Sequence, residues 1–344
     1  LLPGSHPIAA EFLTALARLA LGGPGDVRPL LPSAGAGSGW GAVSFEEAPA
    51  GELRAIADLI RQYDRATKHN TYLEGKARFS LKTDRPATVD LYRYEARDRR
   101  LWPTPVGALG ATPLERVRLP MGTYVAILHV ENGPDVRYPV QLGRREQWQG
   151  GLDGPATVPL PDRLGDDDVF VPAGPFVCGA DHGESLPRER RWLDGFVIKR
   201  HPVTMGAYLD FLGALRLRSG AELSEKCQPQ TPERSTGFWP RVLWSQGRYH
   251  LIPDRQGRTW KREWPAVCIP WAGALEYAAW QAEKEEVPWT LPTELQWEKA
   301  GRGVDGRALP WGEHPESLFA RFGASTPVER DAFPADSSPY GVRG

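Results

Sequence analysis

A 344-residue chain with 42 basic and 43 acidic side chains carries a formal charge of −1, which excludes a field that could hold nucleic acid or an anionic membrane by charge alone. Its 41% hydrophobic and 25% charged residues are those of a globular protein of two or three domains, and no apolar run reaches the ~18 residues of a spanning helix. Three cysteines, Cys178, Cys227 and Cys268, are too few and too scattered for a disulfide framework and lack zinc-site spacing, so a reducing, cytoplasmic compartment is expected.

Residues 8–21 place Ile8, Phe12, Leu16 and Leu19 at helical spacing. They lack the basic start of a secretory signal. A Gly/Pro/Ser-rich connection follows over 22–42, and a second helix is predicted from about 51 to 68 with Leu53, Ile56, Leu59, Ile60 and Tyr63 on one side. Residues 1–75 therefore read as a helical segment or linker. The chain starts on Leu1, so it is expected to be a piece of a longer protein.

From residue 76 the period changes to two. ARFSLKT, ATVDLYRYE, GTYVAILHV and RYPVQLG alternate apolar and polar positions, as half-buried strands do. Gly122 opens a turn, Pro113 suits a sheet edge and Tyr124 packs on a sheet face. Residues 76–145 read as a small antiparallel β-sandwich. The stretch 146–168 is rich in Gly and Pro and ends in Asp166-Asp167-Asp168. Without the alternating ligands of a calcium loop, it reads as a solvated linker.

The third domain covers 169–344. Thr204 can cap a helix whose Met205, Tyr208, Leu209, Leu212 and Leu215 form one apolar face. A long polar insert, 217–263, carries Trp239, Trp244 and Trp260, with core and surface equally open for Trp239 and Trp244. A further helix from Trp271 to about Lys284 is expected to bury Trp271, Leu275, Ala278 and Ala282. In the stretch 287–312, Thr293 and Gln296 have the spacing of a capping box, Leu295 and Trp297 are the bulky apolar residues of a short helix, and Gly301 and Gly303 can stop it. Pro310-Trp311-Gly312 then makes an aromatic corner. Trp271, Trp280, Trp297 and Trp311 are expected in the core, since each ring buries a large area in a loop-rich domain. Cys178 and Cys268 read as small buried hydrophobes. Ser185 and His182 read as loop residues, not as parts of a catalytic arrangement.

The LPTELQWEKAGRG…PWG stretch resembles the signature of the formylglycine-generating-enzyme (sulfatase-modifying-factor) superfamily. HPVTMGAYLDFL, WPAVCIPWAGALEYAAW, FVPAGPFVCGADHGE and WLDGFVIKR resemble other segments of that family in the same order. The motif residues are Pro202, Thr204, Tyr208, Trp271, Leu291, Pro292, Thr293, Glu294, Trp297, Glu298, Gly303, Pro310, Trp311 and Gly312, and all read as structural. The resemblance implies an α+β fold of the C-type-lectin-like kind. LGATPLERVRLPMGTY, with Thr83, Pro86 and Val89 before it, resembles a PEGA-type β domain.

Family members that make formylglycine hold copper(I) on a cysteine pair beyond a GNVWEW motif. This chain stops at SPYGVRG, where that motif should begin, so the domain reads as C-terminally truncated, and copper is expected only if the missing part carries the pair. The resemblance also implies calcium sites, one on an Asn about ten residues after PWG. Here that neighbourhood is Ala320-Arg321-Phe322, and a guanidinium does not ligate cations. The His-x-x-x-His-x-Glu site of the related iron sulfoxide synthases does not occur. A PEGA-like module followed by such a domain resembles the C-terminal half of some bacterial serine/threonine kinases, though no kinase motif lies in this chain.

Two functions follow from these resemblances. The first is a non-catalytic sensory or interaction module of a signalling protein, with a protein or peptide partner. The second is a truncated copper oxidase that modifies a protein cysteine. A ligand-display domain on the same fold is a third.

Overall fold

The computed structural model describes residues 75–143, 146–180, 187–230, 237–254, 256–321 and 326–344. The helices expected over 8–21 and 51–68 fall outside them, as do His182 and Ser185. Two compact units make up the chain: Leu1–Arg78 with Arg118–Met121 and Gly143–Glu146, and Phe79–Val117 with Gly122–Leu142 and Gln147–Gly344. In the first, Arg78 N–H donates to Glu146 O (2.9 Å) and Met121 N–H to Gly75 O (2.5 Å).

The strands β1 (Lys76–Thr83), β2 (Ala87–Arg97), β3 (Arg100–Ala111), β4 (Leu114–Pro120), β5 (Gly122–Val130) and β6 (Val136–Leu142) are followed by the short β7 (Gln147–Trp148) and β8 (Thr157–Val158). One sheet has the order β3-β2-β5-β6; another has the order β4-β1-β7, with β8 pairing β1. Burial follows the alternation in the sequence: Ala77, Phe79 and Leu81 on β1, and Ala87, Val89 and Leu91 on β2, because successive side chains of a strand face opposite ways. The stretch read as a linker, 146–168, supplies β7 and β8.

β2 and β3 meet in a two-residue turn, Asp98-Arg99, with both residues at positive φ (50° and 61°). This is the mirror-image turn whose twist matches a hairpin. From that turn the ladder fixes which backbone groups face β2. Leu101 N–H points away from β2 and donates to Trp311 O (2.8 Å). The next two positions of that outward set are Pro103 and Pro105, which have no N–H to present.

The rest of the second unit mixes short strands with helices. β9 (Asp168–Val171) pairs with β12 (Phe196–Lys199), and β10 (Gly174–Cys178) pairs with β11 (Glu189–Leu193), both antiparallel. α1 (Met205–Ser219) and α2 (Ala221–Lys226) precede a hairpin of β13 (Val242–Ser245) and β14 (Arg248–Leu251), then α3 (Trp271–Glu285) and α4 (Glu294–Arg302). The architecture is α+β, with more strands than helices. Among the described residues, no helix is long and apolar enough to cross a membrane.

Thr204 Oγ1 accepts from Ala207 N–H (3.2 Å), the cap the sequence predicts. Met205, Tyr208, Leu209, Leu212 and Leu215 are all buried behind it, and Phe211 joins them. The insert completes this core instead of looping away. Trp260 is buried and meets Trp264 edge-on at 5.4 Å. Trp244 is half-buried against Tyr249 (5.0 Å).

Three expectations are corrected. Trp271 is 73% exposed: α3 faces α1 through Gly273, where an added Cβ would collide with the Tyr208 hydroxyl of α1, so its small residues, not its first ring, set the buried face. Cys268 is only partly buried, and it sits at φ 58°. The acidic run is no solvated linker. Asp168 opens β9 and meets Lys199 Nζ at 2.8 Å, and Asp167 Oδ1 lies 2.7 Å from His201 Nδ1. Both partners stand at the end of β12 or just past it, more than thirty residues on.

Candidate functional site

The stretch 293–312 builds one cluster. Thr293 Oγ1 accepts from Gln296 N–H (3.3 Å) while Gln296 Oε1 accepts from Thr293 N–H (2.8 Å), so two orphan donors of the first turn of α4 are satisfied reciprocally. Gly303 closes the helix at φ 83°, and a Cβ there would lie 2.7 Å from Pro339 Cγ. The buried face carries Lys299 and Ala300, with Leu295 packed on the core of β9 and β10. Trp297, expected inside, is 69% exposed. It stands two residues from both Leu295 and Lys299, about 200° around the helix and on the opposite face.

Lys299 is 1% exposed. Its Nζ donates to Pro172 O (2.9 Å) and Gly174 O (3.0 Å) and lies 5.7 Å from the Phe176 ring centre. Burial pulls its pKa down to about 7, because a charge removed from water is disfavoured. Beside it is a cavity of about 10 Å³ walled by Tyr138, Trp148, Gly174 and Tyr340. One turn on, Arg302 reaches Glu298 and Gly306 O, and Glu298 accepts from Gly179 N–H. These bonds tie α4 to the end of β10.

The exit from α4 is fixed by a second buried charge pair. Arg307, 3% exposed, donates to both Asp305 oxygens (2.9 Å each) and to Pro310 O (3.2 Å), with its guanidinium 4.5 Å from the Tyr94 ring centre. Burial works to raise the Asp305 carboxyl, but the bonds and charge of Arg307 outweigh it and hold the group below the carboxylate range. Trp311 is buried, and its indole donates to His314 O (2.9 Å). The β2–β3 hairpin thus rests on the aromatic corner through Tyr94 and Leu101.

The other motif residues belong to a different core. Tyr208 donates its hydroxyl to Cys227 O (2.7 Å). Thr204 caps α1, and Pro202 lies exposed before it. Leu291 is half-buried, and Pro292 and Glu294 are exposed at the entry to α4. The structure therefore brings Thr293, Glu298, Gly303, Pro310, Trp311 and Gly312 together, and it leaves Pro202, Thr204, Tyr208 and Trp271 with α1 and α3. Sequence reasoning missed Lys299, Asp305 and Arg307. For Lys299 a signal existed: it stands four residues after Leu295 and next to Ala300, on the face that had to be buried.

The donors present do not fit copper(I). That ion takes soft thiolates held together, whereas Cys178 packs with β9 and α4 and Cys227 with α1. Burial pushes both thiols up, with the charge of Glu298 adding to it at Cys178 and that of Glu276 at Cys227; burial alone does the same at Cys268. Among the described residues, no three His, Cys, Asp or Glu side chains converge as a metal site. Arg321 is exposed and donates to Thr326 Oγ1 (3.3 Å), a cation where the resemblance implied a calcium ligand.

Relatives carry different activities on this domain. Hercynine oxygenase of Mycolicibacterium smegmatis is 30% identical over 208 residues, 54% of this chain and 45% of that protein. The formylglycine-generating enzyme of Thermomonospora curvata is 27% identical over 171 residues, 44% of this chain and 54% of that enzyme. Inactive C-alpha-formylglycine-generating enzyme 2 of Bos taurus is 30% identical over 166 residues, 42% of this chain and 52% of that protein. The chain thus spans about half the length of each. Residues 156–340 match the sulfatase-modifying factor enzyme 1-like domain, a region that contains both the α1–α3 core and the α4 cluster, and the chain belongs to that family.

Proposed function

We propose that this chain is a non-catalytic sensory or interaction module of a larger bacterial signalling protein, in which a serine/threonine kinase domain is a separate segment. The observation that carries this reading is the state of the thiols. Cys178 donates to Glu189 O (3.5 Å) inside a strand pair, Cys227 sits at the end of α2 in the core, and neither is paired with another soft donor. Fold does not imply chemistry, and the relatives include an oxygenase, a formylglycine-generating enzyme and a protein named inactive. A PEGA-like sheet module ahead of the domain supports a place in a multidomain signalling chain. A protein or peptide partner suits the exposed rings of Trp271 and Trp297, since tryptophan is enriched where proteins bind one another.

The alternative is a formylglycine-type oxidase whose cysteine pair lies on a further segment, favoured by the closeness of the Leu291–Gly312 motif to that of the generating enzymes. Copper(I) titration of the intact parent protein separates the two. The module reading expects no one-to-one site and no thiolate-to-copper absorbance. A tight stoichiometric site would overturn it. Sequencing the parent coding region on both sides tests the rest: kinase motifs upstream support the signalling context, and a cysteine pair downstream supports the oxidase.

A further inference from the structure

Lys299 is a buried amine that none of the charge pairs around it uses. A neutral amine has two N–H bonds and one lone pair. The two N–H bonds match the two carbonyls in reach, Pro172 O and Gly174 O. An ammonium has a third N–H, and on its open side it finds the Phe176 ring at 5.7 Å and the small cavity. At about 10 Å³ that cavity has room for about one water. The Tyr138 hydroxyl borders it, 4.0 Å from where a Cβ on Gly174 would lie, and already accepts from Trp148 Nε1 (3.2 Å). The amine therefore sits where α4, the 172–175 turn, β6 and β7 converge.

We propose that Lys299 is a proton-operated latch: the neutral amine closes the junction of α4, the 172–175 turn and the β6–β7 wall, and protonation draws water to the Tyr138 cavity and loosens it. The depressed basicity of Lys299 places the transition near neutral pH. The groups facing the amine do not oppose this. The 172–175 turn has no titratable side chain. Tyr138 on β6 is pushed up to about 12 by burial, and Tyr340 well above its ordinary value, so both stay neutral. Trp148 on β7 does not titrate, and the Arg190 guanidinium of β11 lies 5.6 Å from its ring centre. On α4 itself, Glu298 is taken by Arg302 and Gly179 N–H. Asp194, between β11 and β12, is the one carboxylate whose field favours the ammonium, and burial outweighs it.

Nuclear magnetic resonance of the full chain, labelled at lysine Cε, tyrosine Cζ and glycine nitrogen, tests this. One lysine signal should titrate near pH 7, and the Tyr138, Tyr340 and Gly174 signals should move with the same midpoint. Lys299→Met should abolish both changes. Tyr138→Phe keeps the ring but removes the hydroxyl that the incoming water needs, so the Lys299 midpoint should fall; if Lys299→Met does not fold, the wild-type and Tyr138→Phe titrations still decide. The proposal is overturned if no lysine signal titrates near pH 7, if Lys299 titrates while Tyr138 and Gly174 stay still, or if Tyr138→Phe leaves its midpoint unchanged.

Discussion

Replacing Arg307 by methionine removes a guanidinium that is 3% exposed and holds four partners: both Asp305 oxygens, Pro310 O and the Tyr94 ring. Truncating one member of a buried pair leaves the other charge uncompensated, which costs about 3–5 kcal/mol. The lost ring contact is part of that figure, at about 1 kcal/mol. Replacing Asp305 by alanine in the same chain should return most of the loss, because a buried pair exchanged for apolar residues is often neutral or even stabilising. Urea unfolding followed by circular dichroism measures both variants against the native chain. The pH dependence supplies an independent sign. In the native chain the Asp305 carboxyl is held below its ordinary 3.8, so its contribution is full above that value and is lost as pH falls through the lower folded value. In Arg307→Met burial is opposed by the hydrogen bonds of Thr123 and of the residue-307 backbone without the guanidinium, so the folded carboxyl rises from its native value and the stability it contributes above 3.8 falls. A single variant within ~1 kcal/mol of the native chain, or one whose stability between pH 4 and 7 keeps the native slope, would refute the reasoning.

Two other outcomes are expected. Gly303→Ala meets both a left-handed backbone and Pro339 Cγ at 2.7 Å. It should lower stability by about 1–3 kcal/mol, measured as a shift in urea midpoint, and an unchanged midpoint would show that the exit of α4 relaxes freely. His129 lies between Asp135 (2.8 Å) and Asp90 (3.2 Å), and the Asp135 hydrogen bond leads in raising it above the ordinary 6.5. Its stabilisation is therefore full below pH 6.5 and fades as pH rises through the raised value. Because solvent screens the pair, the amount is under about 1 kcal/mol; comparing the native chain with His129→Gln across pH 5–9 checks the sign.

Local signals in the sequence carried the elements whose residues answer one another within a turn or two. Thr204 with Met205, Tyr208, Leu209, Leu212 and Leu215, and Thr293 with Gln296, are complete statements within fifteen residues, and the structure realises both. The strands of alternating period were equally plain, whereas β3 was hidden because an edge strand with two prolines buries no face and so leaves no period. What escaped depended on distance along the chain. Lys299 is buried by carbonyls more than 120 residues earlier, and the Asp167 and Asp168 carboxylates find their partners more than thirty residues later. Trp297 misled for a different reason: hydrophobicity alone placed it inside, but the helix had room on that side only for Leu295, Lys299 and Ala300. The family was legible from motif order. The chemistry was not, since Thr204, Tyr208, Thr293, Glu298, Gly303 and Trp311 each have a packing, capping or hydrogen-bonding role of their own.

The hairpin of β2 and β3 has one more effect, on how this molecule behaves among copies of itself. A sheet edge that offers a row of free N–H groups is a template on which other chains can add strands. Here the first outward donor of β3, Leu101, is spent on Trp311 O, and the next two outward positions are prolines. A growing ribbon would find no free N–H along that side for about 13–14 Å, four residues of strand rise. Changing Pro103 and Pro105 to valine would restore the row of donors beside exposed Trp102 and Val106, turning a silent border into a surface for fibre growth.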